Sequence, residues 1–283
     1  MLTIDPRTTA ELIQLALLAP EEDDDYLQER WHFIYLLQCR GDREVLDRSL
    51  KLTQSSILEE RNLGINILGQ LGVPDRTFPN ECLTALLGLL EVEFDPLILR
   101  DICIALGHLD DPRSSEPQLK FCLHPDWEVR YGVVNGLSGH DDERAIAGLI
   151  GLSADVCPLV RNWATFGLGT LIEVDTPAIR SALYRRFLIE DSEDDETAEI
   201  YGEALVGLAN RKDTRILSRV RQELMSDRVS KLAIQAAEAL ADKRLYPALL
   251  KLQTWWQPAS DLEDAIAACS PNCEGNSTEE TIG

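Results

Sequence analysis

Apolar and polar positions along this chain form pairs of short helical stripes separated by turn chemistry. Between 126 and 153, Trp127, Val129, Val133, Val134 and Leu137 recur at helical spacing, and Ser138-Gly139-His140-Asp141-Asp142 interrupts them. Ala145, Ile146, Leu149, Ile150 and Leu152 then resume the stripe. Neither helix could bury its apolar face alone, so each unit needs a neighbour of the same kind.

The unit repeats. ILEERNLGINILGQLGVPDR from Ile57, DPLILRDICIALGHLDDPR from Asp95 and DWEVRYGVVNGLSGHDDER from Asp126 align directly. CPLVRNWATFGLGTLIEVDTP from Cys157 and AEIYGEALVGLANRKDTR from Ala198 are looser copies. A leucine near the end of each first helix anchors the series: Leu37, Leu68, Leu106, Leu137, Leu168, Leu208 and Leu240, spaced 31, 38, 31, 31, 40 and 32 residues apart. A period near 31 with two short insertions predicts an all-α solenoid of about seven helix pairs. Asp42, Asp75, Asp111, Asp142, Asp175, Asp213 and Asp242 follow the turns, where a carboxylate caps the second helix. Arg61, Arg100, Arg130 and Arg161 recur about seven residues before the anchors and read as rungs of a structural ladder.

These residues resemble HEAT repeats of the short kind also found in phycobilisome lyases, which run D-x-x-V-R, A-L-G-x-L, D-P-x-A. The resemblance covers roughly residues 26–256 and is strongest over 95–171. It implies a right-handed solenoid whose second helices line a concave face, and a chain that works by holding a partner. The expected organisation is an N-terminal capping helix and acidic loop (1–25), the solenoid (26–257) and a disordered acidic tail (258–283). Thr8 and Glu11 have the spacing of a capping box that opens the first helix.

Composition narrows the function classes. The chain has 283 residues with 27 Lys+Arg against 49 Asp+Glu, a formal charge of −22. Nucleic acid is thereby disfavoured as a partner, because phosphate binding needs clustered cations. No apolar run reaches the roughly 20 residues of a membrane-spanning helix. The N-terminus lacks a secretory pattern, and seven cysteines without a C-x-x-C suit a reducing, cytoplasmic interior.

Candidate chemistry is sparse. His108 and His140 occupy equivalent turns one repeat apart, too far for a shared metal, and no cofactor fingerprint is present. Cys122 with His124 is the one thiol–imidazole neighbourhood, and its spacing fits a core-facing cysteine better than a nucleophile. Cys269 and Cys273, two thiols without further ligands, make a poor metal site. Charge is distributed unevenly: acid concentrates in 21–25 and 190–196, whereas the late second helices carry arginine.

Removing the core stripes leaves Arg180, Tyr184, Arg185, Arg215, Arg219 and Gln222 outward, a patch that could grip carboxylate or phosphate on a partner. Local neutralisation of the acidic insertion is the alternative reading. Trp255-Trp256 could plug the open end of the last repeat or anchor a partner. The leading expectation is a non-catalytic scaffold with a protein partner on the concave face. The alternatives are a phycobilin lyase subunit or chaperone, implied by the resemblance, and an acidic inhibitor of a basic nuclease or toxin.

Overall fold

The computed structural model describes residues 5–19, 24–190, 194, 197–257 and 260–271. It divides into two units, Met1–Leu152 and Ser153–Gly283. The first holds α1 (Thr9–Leu18) and four helix pairs: α2 (Asp24–Arg40) with α3 (Arg43–Leu52), α4 (Leu58–Gly69) with α5 (Pro79–Val92), α6 (Pro96–Leu109) with α7 (Ser115–Leu119), and α8 (Trp127–Leu137) with α9 (Glu143–Leu152). The second holds α10 (Pro158–Phe166) with α11 (Pro177–Ile189), α12 (Ala198–Asn210) with α13 (Leu217–Leu224), α14 (Lys231–Leu240) with α15 (Tyr246–Leu252), and then α16 (Ser260–Cys269). All described regular structure is helical. Within each unit first helices stack on first helices, the packing of a HEAT-repeat solenoid.

The seven anchor leucines are all buried, so the period read from the sequence is the period of the core. Small residues set how closely the first helices approach. A side chain on Gly207 would place its Cβ 2.6 Å from the Gly169 Cα, and one on Gly132 would lie 2.7 Å from the Arg100 backbone. Thr8 and Glu11 form the expected capping box: the Thr8 hydroxyl accepts from the Glu11 N–H at 3.2 Å, and Glu11 accepts from the Thr8 N–H at 2.7 Å.

The turn aspartates cap as expected at Asp42, Asp111, Asp142, Asp213 and Asp242, each accepting a backbone N–H two or three residues on. Three of them also accept both guanidinium arms of the arginine two residues later: Asp111 with Arg113, Asp213 with Arg215, Asp242 with Arg244. The arginine ladder is present too. Arg61 reaches Glu93 at 3.1 Å and Arg161 reaches Glu190 at 3.2 Å, bonds that span 32 and 29 residues in sequence. Both arginines also donate to carbonyls six residues back, of Ser55 and Asp155, tying the loop to the helix it feeds.

The C-terminal segment departs from expectation. Residues 260–269, expected in a disordered tail, form α16, which packs on α14 and α15. Leu262, Ala265 and Cys269 lie on one helical face and are buried. Their small apolar face covers the otherwise open side of α14, and this gain outweighs the acidic composition of the segment.

Several first helices end in a left-handed residue. Gly41 after α2 has φ +51°, a conformation glycine adopts without steric cost, whereas Ala241 at the equivalent position after α14 has φ +52°. Ala241→Gly should therefore raise unfolding stability by about 0.5–1 kcal/mol in urea titration.

Candidate partner-binding surfaces

The structure brings the arginine-patch residues of the C-terminal unit together, and most of them are already engaged. Arg180 donates Nε to Asp175 Oδ1 at 2.8 Å and Nη2 to the Arg211 carbonyl at 2.6 Å. Arg215 is forked on Asp213 and lies 4.0 Å over the Tyr184 ring. Arg219 donates to the Tyr201 hydroxyl at 2.8 Å and pairs with Glu223 at 2.9 Å. These arginines hold the carboxyls of Asp175 and Asp213 below the ordinary range by hydrogen bonding, while burial pushes the Tyr201 hydroxyl up to about 12. Tyr184 packs at a tilt against Phe187, which stacks on Tyr201, so the cluster braces α11 against α12 and α13. Arg185 and Gln222 are exposed beside it.

The acidic insertion neutralises different arginines. Glu190 is buried and accepts from Arg186 at 2.9 Å and from Arg161. Apart from Glu190 and Asp194, the insertion lies outside the described residues, as do Glu21, Glu22 and Asp23 of the N-terminal run. The tryptophan pair does not sit at an open end, because α16 follows it. The two rings meet at 6.2 Å, with Trp255 exposed and Trp256 half-buried.

The better-formed recess lies elsewhere, on the first helices of the N-terminal unit, whereas the resemblance placed the partner surface on second helices. It has a volume of about 550 Å³ and runs from α2 across α4 and α6 to α8. A continuous polar chain crosses its floor. Arg30 donates to Asn62 Oδ1 at 2.8 Å, Asn66 Nδ2 donates to the same oxygen at 3.1 Å, and Gln38 Nε2 donates to the Asn66 carbonyl at 2.9 Å. Asn62 Nδ2 donates to buried Asp101, which accepts from Arg100 at 2.8 Å; Arg100 also reaches Glu128 at 2.9 Å. Apolar side chains stand above this floor with much of their surface in solvent: Trp31 at 51%, Leu58 at 40% and Leu97 at 48% exposed. A partly apolar recess over a fixed polar floor is suited to binding, since little side-chain freedom remains to be lost.

Sequence reasoning misses these residues, although two signals for them exist. Asn62 and Asp101 are polar positions directly after the ladder arginines, inside otherwise apolar helices. Leu58, Leu97 and Trp127 stand three residues before those arginines, and Trp127, which the sequence pattern assigns to the core stripe, is largely exposed.

The nucleophile and metal candidates find little support in the geometry. The Cys122 thiol is pushed up by burial, and His124 Nδ1 accepts from the Asp126 N–H at 3.2 Å. His140 is buried with Nδ1 4.0 Å from Asp110. Among the described residues no group of three metal-ligating side chains converges. Cys269 is buried and bonded to the Ala237 carbonyl at 3.3 Å; Cys273 lies outside the described residues. No described helix is long and apolar enough to cross a membrane.

One half-buried acid gives a pH test. Glu203 on α12 is pushed up from 4.5 to about 7 by burial, with Glu199 adding to the effect. A carboxyl whose folded value lies above its unfolded one lowers stability as pH rises between those values, because the folded chain then holds the extra proton. Glu203→Gln should raise stability by about 1–2 kcal/mol at pH 8, allowing for solvent screening, and leave it unchanged at pH 4. Urea titrations at the two pH values check this.

Comparison with known proteins agrees with the architecture. Residues 83–169 match the family model for HEAT repeats. Protein YibA of Escherichia coli K12 is 26% identical over 234 residues, 80% of this chain and 80% of YibA, and its O157:H7 counterpart matches equally. The X-ray structure of Escherichia coli YibA superposes with a TM-score of 0.67 at 22% identity, covering 93% of this chain and 92% of that one. The crystal structure of an engineered protein superposes with a TM-score of 0.55 at 16% identity, covering 91% and 76%.

Proposed function

We propose that this HEAT-repeat protein, a relative of Escherichia coli YibA, is a non-catalytic adaptor that holds a protein partner in the first-helix groove of its N-terminal unit. The observation that carries the reading is the groove itself: exposed Trp31, Leu58 and Leu97 over a floor already fixed by Asn62, Asn66 and Asp101. Shallow apolar surface with preorganised polar groups favours a macromolecular contact over turnover of a small substrate.

The arginine patch is the second reading, favoured by exposed Arg185 and Gln222 beside the Arg215–Tyr184 stack. A partner gripping Arg180 or Arg215 would have to displace Asp175 or Asp213, which opposes that reading. A bilin lyase role would call on arginines of the same cluster for the pigment's propionates.

Affinity capture from the native extract separates the surfaces. Trp31→Ala/Leu97→Asp should lose the partner, and Arg185→Glu/Gln222→Glu should retain it. All four side chains are solvent-exposed, so both variants should fold. The reverse pattern would move the site to the arginines.

A further inference from the structure

Beyond the groove, the N-terminal unit exposes apolar side chains along the edge where its first helices begin. Phe94 precedes α6 and is 88% exposed; Leu123, in the loop before α8, is 93% exposed; Ile57 precedes α4 and is half exposed. Because α4, α6 and α8 are stacked neighbours, the three residues lie along one edge of a stack whose helices pack roughly 10 Å apart. Leu58 and Leu97, at the starts of α4 and α6, join this row to the groove, and half-exposed Trp127 opens α8 beside it.

The N-terminal unit that carries this edge is acidic. The N-terminal unit carries 13 Lys+Arg against 27 Asp+Glu, a net −14. The arginines near the edge are committed: Arg61 to Glu93, Arg100 to Asp101 and Glu128, and Arg130 to the carbonyls of His124 and Pro125, while exposed Lys120 beside Leu123 is outnumbered by the acids. The carboxylates of Glu59, Glu60 and Glu91 make no ion pair among the described residues. An apolar row rimmed by unneutralised acid is complementary to a chain that is apolar at intervals and basic between them. An anionic lipid surface would meet repulsion instead.

We propose that the edge row Ile57–Phe94–Leu123, with the adjoining groove, docks a basic segment of the partner protein whose apolar side chains recur about every 10 Å. That interval corresponds to about seven residues of helix or about three of extended chain. The inference rests on the adaptor reading and adds the partner's chemistry.

The test is selection of phage-displayed random 16-residue peptides on the full chain, counter-selected against Phe94→Asp/Leu123→Asp. Both substituted side chains are almost wholly in solvent, so the variant should keep the wild-type circular dichroism spectrum. Enriched peptides should be net positive with spaced apolar residues. Their synthetic forms should bind at least about tenfold more weakly to that variant and to Glu59→Lys/Glu91→Lys. An acidic or uncharged consensus, no enrichment, or affinity unchanged in both variants would overturn the proposal. So would phosphatidylserine vesicles that co-sediment with the wild type and not with Phe94→Asp/Leu123→Asp. If these results overturn it while Trp31→Ala/Leu97→Asp still loses the captured partner, the partner's chemistry is wrong and the adaptor reading stands.

Discussion

Arg211→Met is expected to destabilise the C-terminal unit by about 3–5 kcal/mol, a large loss for one side chain. The guanidinium is buried at the end of α12 and donates to four carbonyls of the preceding repeat: Leu168 at 2.7 Å, Gly169 at 2.9 Å, Ile172 at 2.9 Å and Val174 at 3.3 Å. It also donates to the Gly207 carbonyl at 3.1 Å. Residues 167–171 form a π-helical turn, and a helix end leaves carbonyls without partners in their own helix. Arg211 supplies those partners from the next repeat. Methionine fills similar volume and removes the guanidinium donors from the Leu168, Ile172 and Val174 carbonyls, the Gly169 carbonyl keeping its bond from Asn210, so the cost exceeds that of a lost surface bond. Arg211→Lys keeps the charge but not the forked donors, and should lose less. Urea unfolding followed by circular dichroism measures both; an Arg211→Met loss under about 1 kcal/mol would mean that water reaches these carbonyls.

Gly207→Val should cost about 3 kcal/mol by forcing apart α12 and the turn after α10. The new Cβ would sit 2.6 Å from the Gly169 Cα and 3.0 Å from Leu183 Cδ1, and the Gly169 backbone cannot swing aside as a side chain could. Gly88, on the exposed face of second helix α5, has nothing within 4 Å of its Cβ position. Gly88→Ala should stabilise by about 0.5–1 kcal/mol through helix propensity alone. The opposite signs at two helical glycines are the expected signature of stacking governed by first-helix crossings, read in the same unfolding assay.

Much of this architecture is legible in the sequence because its strongest signal is periodic and local. The leucine series, five of the seven turn aspartates and the Thr8 capping box each depend on residues within one or two helical turns and are found where the spacing places them; Asp75 makes no cap, and Thr176 caps α11 in place of Asp175. Composition misleads over 260–269, where Glu263 and Asp264 stand out while Leu262, Ala265 and Cys269 on the other face of α16 decide its fate; 272–283 lie outside the described residues. Helical exposure alone overstates the arginine patch, because Asp213 stands two residues from Arg215 and Asp175 five from Arg180, close enough to claim them. The groove is the least legible feature. Its floor joins Arg30 to Asn62 and Asn62 to Asp101 across 32 and 39 residues, so its convergence depends on the register of stacked repeats.

The first-helix groove of the N-terminal unit and the arginine cluster of the C-terminal unit make opposite predictions for photo-crosslinking. Benzoylphenylalanine is placed singly at Trp31, Leu97, Arg185 or Gln222 in the full chain and irradiated in native extract. If the partner docks in the groove, positions 31 and 97 should yield one shared crosslinked species, and positions 185 and 222 should yield none. Crosslinks from 185 and 222 with none from 31 and 97 would refute the groove as the partner site.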